Sequence, residues 1–265
     1  MTARYTERWS RQARWSRRLG IFAVPVAVLT TLLHRFVGLE TIAGLVLFGV
    51  ALALALIALV LGFGAFAVIW TRGFRGTAQA LVGVVLALLV LAWPAWRVSH
   101  LAYLPAINDV TTDWFDPPAF TQAARLRPPG SLSIEYPGQD FAIPQRTAYP
   151  EIVPLFLNYS ANEVYLAAKS LAEANGWQIV YALPPGLEDT GRIEAVAPTL
   201  VFGFKDDVVV LVTRIGPEET RVDMRSASRI GRHDFGENAS RIYDFLTGLT
   251  VRMDAPVESE SAPGT

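Results

Sequence analysis

The chain has 265 residues, of which 52% are hydrophobic and 18% are charged, and it contains no cysteine. Soluble domains usually carry about 25% charged residues, so part of this chain is expected to lie away from water. The lack of cysteine excludes disulfides, zinc–thiolate sites, iron–sulfur clusters and a cysteine nucleophile. The sequence also lacks the strand–helix alternation that a doubly wound enzyme fold would show.

Charge divides the chain into two unlike parts. Residues 1–97 carry ten arginines, no lysine and two acidic residues, which gives a net charge of +8. Residues 98–265 carry 13 basic and 22 acidic residues, or −9, so the total of −1 is a cancellation. The arginines of the first part flank long apolar runs instead of alternating with aromatic residues. This pattern favours a membrane over nucleic acid as the partner.

Three apolar stretches predict an α-helical membrane region. The chain from 41 to 71 is uncharged and exceeds the roughly 20 residues that cross a bilayer. A second uncharged stretch, from 76 to 96, ends in tryptophans that suit a membrane interface. The stretch that begins at Leu19 is long enough only if it continues past Arg35, whose side chain would reach the interface. We therefore predict spans at about 19–39, 42–70 and 77–96.

The positions of the arginines favour three spans over two. One group precedes the first apolar stretch and another separates the second from the third, and the positive-inside rule places both groups in the cytoplasm. Both reach the same side only if the chain crosses once more between Arg18 and Thr41. The predicted topology has a basic cytoplasmic segment at 1–18 and the whole C-terminal part outside. The arginines are Arg4, Arg8, Arg11, Arg14, Arg17, Arg18, Arg72 and Arg75.

The N-terminal segment has two alternative interpretations. A cleaved signal peptide would need small residues after its apolar run, whereas His34-Arg35-Phe36 follows here. Arginines that recur every three or four residues, with Trp9 and Trp15 among them, are also typical of a helix lying on anionic lipid. The simpler interpretation is a signal that sets the topology.

Beyond the spans, the sequence predicts a water-soluble domain preceded by an arm. Residues 98–150 hold 8 of the 17 prolines, so we interpret them as a proline-rich extended arm with turns. Residues 151–252 are predicted to form an α+β two-layer domain. The tail at 253–265 is rich in Ser, Glu, Pro and Ala and is expected to be disordered.

Within 151–252, the predicted order is helix, four strands, helix. Ser160 and Glu163 form a capping box at the start of the first helix, and Asp234 would cap the last one. Short turns between the strands, one of them assigned to Lys205–Asp207, favour antiparallel hairpins. The sheet is therefore expected to have about four strands, with both helices on one face.

Two motifs in the C-terminal part resemble a known family. The first is Pro105-Ala-Ile-Asn-Asp-Val-Thr-Thr-Asp113 followed by Asp116-Pro-Pro118. The second is Arg225-Ser-x-Ser-Arg229-x-Gly-Arg232-x-Asp234-x-Gly236-x-Asn238-Ala-x-Arg241-Ile242. In this order, over about 105–250, they resemble the bacterial "domain of unknown function 1499" family, although His233 stands where a small polar residue is expected. The resemblance implies an envelope domain attached to membrane spans, and it implies no reaction and no cofactor.

The second motif contains the candidate ligand-binding residues. Arginine side chains and hydroxyls just before a helix N-terminus suit a phosphate or a carboxylate, including that of a lipid headgroup. Against this hypothesis, Asp234 would compete with an anion bound at the same helix end. The candidates are Arg225, Ser226, Ser228, Arg229 and Arg232.

The alternative interpretation of the two motifs is structural. Arginines of the second motif would pair with aspartates and hold the arm on the sheet, which explains why an acidic and a basic motif occur together. The proposed pairs join Arg225, Arg229 and Arg241 to Asp109, Asp113, Asp116 or Asp223. The residues assigned to the structural motif are Asp109, Thr111, Thr112, Asp113, Asp116, Asp234, Asn238 and Arg241.

Catalytic and metal-binding alternatives have weaker patterns. His233 beside Ser226 and Ser228 suggests a nucleophile and its base, but no glycine-flanked nucleophile elbow surrounds these serines. Asp109, Asp113 and Asp116 suggest a calcium site, but their spacing fits no EF-hand loop. We therefore assign no catalytic residue, no metal and no cofactor, and the pattern favours a non-enzymatic role.

The predicted function is that of an integral bacterial inner-membrane protein that displays a structural or interaction domain in the periplasm. Its expected partners are the lipid bilayer and another envelope protein, and nucleic acid is excluded. The alternative is a periplasmic domain that binds an anion or a lipid headgroup, or less favourably hydrolyses a substrate, through the cluster from Arg225 to Arg241.

Overall fold

A computed structural model describes residues 8–186 and 189–255. The chain forms two compact units: the first includes the chain up to Ala102 together with Leu200–Phe204, and the second includes Tyr103–Thr199 and the chain from Lys205 onward. Two predicted segments lie partly outside the described residues. The basic segment 1–18 is described only from residue 8, and the predicted tail 253–265 only as far as residue 255.

The first unit contains three long helices. Helix α1 spans Arg11–Leu32 and continues as a π-helical turn over Leu33–Val37, α2 spans Thr41–Arg72, and α3 spans Thr77–Ser99. Each is long and apolar enough to cross a membrane. Helix α1 begins earlier than the predicted span because the Ser10 side chain accepts a hydrogen bond from the backbone N–H of Ala13 at 3.2 Å.

Small residues hold these helices together. The Ser16 hydroxyl of α1 donates to the backbone carbonyl of Ala58 in α2 at 2.7 Å. A methyl group placed on Gly83 of α3 would lie 2.7 Å from the backbone nitrogen of Arg17, so these two helix backbones touch. Close approach through small residues is typical of helices packed in lipid. The buried positions are Ala13, Ser16, Gly20, Ala23, Ala27 and Thr30 in α1, Gly44, Ala51, Ala55, Ala58, Gly62 and Ala65 in α2, and Ala80, Gly83, Val84 and Ala87 in α3.

The two arginine groups meet at one end of this helical unit, in the residues that the structure describes from Arg8 onward. The Ser10 backbone N–H donates to the carbonyl of Arg75 in the α2–α3 turn, and the Arg75 N–H donates to the carbonyl of Arg8, both at 2.9 Å. Gly73 and Gly76 give the turn its two left-handed backbone positions, with φ of 64° and 131°. The C-terminal end of α3 therefore lies at the end opposite to Arg8.

The second unit is built on an antiparallel sheet of six strands, so the expectation of about four is corrected. The two unpredicted strands have three residues each, which is too short for an alternating pattern to stand out in the sequence. The sheet order is β1-β6-β5-β4-β3, and β2 also pairs with β6. The strands are β1 (Asp109–Thr111), β2 (Leu155–Leu157), β3 (Gln178–Leu183), β4 (Thr190–Pro198), β5 (Lys205–Gly216) and β6 (Glu219–Ser228).

Four helices accompany the sheet in the described residues, and two of them form most of its apolar core. The helices are α4 (Gln122–Arg125), α5 (Gln139–Ala148), α6 (Ala161–Ala174) and α7 (Glu237–Asp254). Apolar side chains of α6 and α7, such as Val164 and Phe245, pack with Val210 and Met224 of the sheet. Helix α5 lies within the arm and was not predicted, because Pro144 interrupts its pattern.

Part of the arm, from Phe120 to Ile134, covers the opposite face of the sheet, whereas Ile107, Val110 and Tyr149 of the arm belong to the main core. Phe120 and Ala123 of the arm are buried against Val209 of β5 and Ala227 of β6. Strand β5 thus has apolar side chains on both faces, as a central strand requires. The arm is therefore part of the fold.

The connection between β4 and β5 lies earlier than predicted. Lys205–Asp207 belongs to β5, where Asp206 and Asp207 pair with Ser228 and Ala227 of β6, so the assignment of these residues to a turn is wrong. Successive strand residues point to opposite faces. Asp206 therefore faces α7 and Asp207 faces the arm, and both carboxylates are buried.

Candidate functional site

Strand β6 divides the predicted ligand-binding residues between the two faces of the sheet. Arg225 contacts the arm, whereas the hydroxyls of Ser226 and Ser228 contact α7. Arg229, just after the strand, contacts Asp207 on the arm side, and the side chain of Arg232 is exposed. The strand period of two thus separates residues that are close in sequence.

Arg225 and Asp109 form a buried two-point ion pair between β6 and β1. The Nε and Nη2 atoms of Arg225 donate to the two carboxylate oxygens of Asp109 at 2.9 and 2.7 Å. This parallel geometry is the strong form of arginine–carboxylate pairing. The guanidinium also contacts the carbonyls of Pro118 and Ile134, at 3.2 and 2.8 Å, and the rings of Phe120 and Tyr136. The pair therefore fastens the arm to the sheet.

Asp207 joins two arginines beneath the arm. One carboxylate oxygen accepts from Nε and Nη2 of Arg229 at 3.1 and 2.6 Å, and the other accepts from Nε of Arg127 at 2.6 Å. Arg127 also donates to the carbonyl of Leu132 at 2.8 Å. All three charged side chains are buried. The partner of Arg229 is therefore Asp207, on β5, and none of the four predicted aspartates.

Arg221 connects Asp113, at the end of the first motif, with Asp223 of β6. Its Nη2 atom donates to Asp113 at 2.6 Å and to Asp223 at 2.9 Å. The other oxygen of Asp113 accepts from the backbone N–H groups of Phe115 and Asp116 at 2.9 and 3.0 Å, which forms a tight turn. The Asp116 carboxylate is exposed, so this residue contributes through its backbone.

Thr111 and Thr112 fix the end of β1. The Thr112 hydroxyl accepts from the Met224 backbone N–H at 2.9 Å and donates to Asp223 at 3.2 Å. The backbone N–H and carbonyl of Thr111 are both bonded by the side-chain amide of Gln145, at 3.1 and 2.7 Å. The buried Gln145 amide thus replaces a neighbouring strand at this edge, a role that no sequence pattern indicated.

The other face of the sheet carries a closed polar cluster beneath α7. Asp206 accepts from Nη2 of Arg241 at 2.7 Å, and Nη1 of Arg241 donates to Ser226 and Asn238 at 2.9 Å each. The Ser226 hydroxyl donates to Oδ1 of Asn238 at 2.7 Å, while Nδ2 of Asn238 donates to Ser228 at 3.0 Å. These groups bond to one another and position the start of α7 on the sheet.

Asp234 and His233 organise the loop before α7. Asp234 accepts from two backbone N–H groups at the start of the helix, at 2.9 Å each. The ring nitrogens of His233 face backbone groups of Phe235 and Leu104, at 2.8 and 3.4 Å. The two candidate serines contact Asn238 instead. Within residues 8–186 and 189–255, no histidine is therefore in position to act as base for Ser226 or Ser228.

Glu194 is a buried acid that the sequence interpretation missed. Its carboxylate accepts from the backbone N–H groups of Thr121, Gln122 and Ala123 at 2.8–3.1 Å. It also accepts from the Thr121 hydroxyl at 2.5 Å and from Nη1 of Arg192 at 3.2 Å. Glu194 lies on β4 and so holds the start of α4, on the arm, against the sheet. Its position in an alternating strand was the only available signal.

Burial and hydrogen bonding determine the pKa directions in this network. Burial raises the pKa of Asp109, and the Arg225 guanidinium acts against that rise. Burial also acts upward on Glu194, but its hydroxyl, amide and guanidinium donors outweigh it and lower the pKa of this residue. Burial, together with the Asp109 charge, raises the pKa of Tyr136 to about 12, so its ring is neutral beside Arg225.

The structure thus brings the two motifs together, and it divides the five candidate ligand-binding residues between the two faces of the sheet and the surface. Arg225 and Arg229 are used by buried carboxylates, Ser226 and Ser228 by Asn238, and only Arg232 of the five candidates is exposed. This geometry favours the structural interpretation of the motifs, and ligand binding by the five residues stays a prediction. The sequence analysis did not identify six residues of the polar network that holds the arm and α7 on the sheet. They are Arg127, Gln145, Glu194, Asp206, Asp207 and Arg221.

Replacing Arg225 with alanine tests the structural role of the pair. The Arg225→Ala change leaves Asp109 as an uncompensated buried charge, so the free energy of unfolding should fall by about 3–5 kcal/mol. Urea unfolding of the full chain in detergent micelles measures this. Arg232→Ala removes an exposed arginine and should change stability by no more than about 0.5 kcal/mol. Equally small effects of both changes would contradict the structural role.

Replacing Glu194 with glutamine tests the attachment of α4. In Glu194→Gln the backbone N–H groups of 121–123 lose a charged acceptor, so their hydrogen–deuterium exchange should become faster at neutral pH. Because the folded-state pKa of Glu194 lies below its ordinary value of 4.5, its stabilising effect is complete above that value and is lost as the pH falls through the folded-state pKa. The difference between the two proteins should therefore shrink at acidic pH. A difference that grows on acidification would contradict this assignment.

Comparison with known proteins agrees with this placement of the motifs. Residues 109–249 match the family model described as "Protein of unknown function (DUF1499)". The matched segment begins in β1, ends in α7 and covers more than half of the chain. None of the curated proteins matches the chain. The chain, with its buried arginine–carboxylate network and its three N-terminal apolar helices, belongs to the DUF1499 family.

Proposed function

We propose that this protein is an integral protein of the bacterial inner membrane that displays a rigid interaction domain in the periplasm. The observation that carries the proposal is the backbone pairing of Ser10 with Arg75, which places the two arginine groups at one end of three apolar helices. Arginine-rich segments stay in the cytoplasm, and three crossings then bring the chain after α3 to the periplasmic side.

The internal use of charge supports an interaction role over a chemical one. Arg225, Arg229 and Arg241 are each bonded to a buried aspartate, and such groups cannot bind a substrate without breaking the fold. Asp234 already bonds the N–H groups at the start of α7, so an anion at that helix end would meet a carboxylate. These contacts argue against the anion- and headgroup-binding alternative at the same residues.

Exposed aromatic side chains offer a surface for a protein partner. Phe115 and Phe156 are 83% and 62% exposed. Phe156 of β2 lies opposite Arg221 in the sheet register, and Arg221 bonds Asp113, two residues before Phe115. Both aromatics therefore lie near the same arginine, and aromatic residues with arginine are typical of the energetic centres of protein interfaces.

Cysteine labelling tests the proposed topology, since the natural chain contains no cysteine. Thr77→Cys lies at the start of α3 and Ser240→Cys lies in α7, and both positions are exposed helical hydroxyl residues. A membrane-impermeant maleimide should label the cysteine at 240 in cells with a permeabilised outer membrane. It should label the cysteine at 77 only after the inner membrane is broken. The reverse pattern, or labelling of both cysteines while the inner membrane is intact, would refute the topology.

Photo-crosslinking in whole cells tests the interaction role. A photoreactive amino acid at Phe115 should give a crosslinked product of defined mass that contains another envelope protein. Tyr243 of α7 is also exposed and aromatic, so the same substitution there is a matched control for chance collisions. If position 115 gives no product above that at 243, the exposed aromatics near Arg221 do not bind a partner and this proposal is wrong.

A further inference from the structure

We propose that the helical unit holds one acyl chain of a membrane phospholipid in a groove between α1 and α3. The inference rests on the membrane crossing proposed above and adds a specific lipid site to it. The groove has a volume of about 390 Å³ and lies wholly within the first unit. Its lining is apolar except for Thr31, whose hydroxyl is bonded to the Ala27 carbonyl at 3.0 Å.

The groove follows from how the two helices pack. At the level of Gly20 and Gly83 the backbones touch, since a methyl group on Gly20 would lie 3.0 Å from the Gly83 carbonyl oxygen. Further toward the C-terminal ends, from Val24 and Leu86 onward, side chains of both helices line the groove. The groove therefore begins where the close backbone contact ends, and it lies toward the end opposite to Arg8 and Arg75. A stripe of small residues alone would give close packing and no groove.

An aromatic cluster closes the groove at the end opposite to Arg8 and Arg75. Phe202 lies edge-on to Phe48 of α2 with ring centroids 4.8 Å apart, and its centroid is 5.3 Å from that of Trp93 of α3. Arg35 donates to the carbonyl of Leu200 at 2.6 Å, which fixes the segment that carries Phe202. The groove therefore has a built end wall and a side that faces outward.

The surroundings identify an acyl chain as the occupant. Val28 lines the groove and is 51% exposed, so the groove opens on the lateral surface of the unit, which the proposed membrane crossing places in hydrocarbon. An unfilled groove there would lose dispersion contacts on both sides, and a flexible hydrocarbon chain restores them. Its volume falls in the range of small-molecule sites.

A positive charge near the end wall suits the headgroup of the same lipid. The Arg97 guanidinium lies 5.9 Å from the ring centroid of Trp93, which lines the groove, and 5.8 Å from that of Trp96. Arginine and tryptophan at a helix end are typical of the membrane interface, where lipid phosphates lie. A phospholipid whose tail lies in the groove would have its phosphate at the level of this end of α3.

Native mass spectrometry of the full chain tests this inference. The protein is reconstituted in vesicles of phosphatidylethanolamine and phosphatidylglycerol and extracted in mild detergent. We expect one phospholipid to remain bound per chain. Val28→Trp fills the groove from its open side and should raise the dissociation constant for the lipid by about tenfold, which corresponds to about 1.4 kcal/mol. The fraction of chains that retain a lipid should fall accordingly. Val46→Trp is the matched control, because Val46 of α2 is 60% exposed and does not line the groove.

Leu89→Trp, which alters the opposite wall of the groove, is a second variant in case the first disturbs the helices. Loss of lipid in both groove variants and retention in Val46→Trp support the inference. Absence of bound lipid from the unaltered protein, or equal retention in all variants, would overturn it. Loss in the control as large as in the groove variants would also overturn it, because the lipid would then not be held in this groove. The cysteine-labelling pattern reports the topology independently, so failure of the membrane proposal is recognised separately.

Discussion

The pairing of Arg225 with Asp109 is the interaction on which the family domain depends. It joins residues that are far apart in the chain, and it lies where β1, the strand contributed by the arm, pairs with β6. Removing both charges from water is costly, and the cost is offset only because both carboxylate oxygens and most guanidinium donors are bonded. The pair therefore contributes geometric precision more than net stability: it permits one placement of the arm and disfavours others.

The same principle explains why the polar network is extensive on the arm side of the sheet. On this face, opposite to α6 and α7, the arm contributes a small apolar cluster formed by Phe120, Ala123 and their neighbours. Burial of so little apolar surface would not by itself fix a long segment with little regular structure. Carboxylates from the sheet supply the missing contacts, Asp207 through two arginines and Glu194 through the backbone of α4. Directional bonds thus replace apolar area where the arm lacks it.

The sequence predicted those features that repeat along the chain. Apolar length and arginine placement predicted the three helices, and the short turns between strands predicted an antiparallel sheet. Of the three arginines predicted to pair with aspartates, Arg225 meets Asp109 as expected, whereas Arg229 and Arg241 pair with Asp207 and Asp206 of β5 instead. Features without a period were not predictable, because nothing local distinguishes a three-residue strand, the amide of Gln145 or the start of β5 at Lys205. Asp206 and Asp207 were assigned to a turn for this reason, since two adjacent acids are far more common in turns than in a buried strand.

The two units are held together by different interactions, as the lipid and aqueous surroundings proposed for them would require. In water, apolar burial assembles the sheet and its helices, and polar contacts then select one arrangement. Between apolar helices in lipid that driving force is absent, so contact must come from close backbone approach, as at Gly83, and from bonds such as Ser16 to Ala58. Because the chain contains no cysteine, neither unit is held by a disulfide. The sheet domain depends on apolar burial and polar contacts, and the helical unit depends on close packing of the helix backbones. Within the sheet domain, breaking a buried ion pair such as Arg225–Asp109 strongly lowers stability. Within the helical unit, adding a single methyl group at a glycine contact such as Gly83 would force the helices apart.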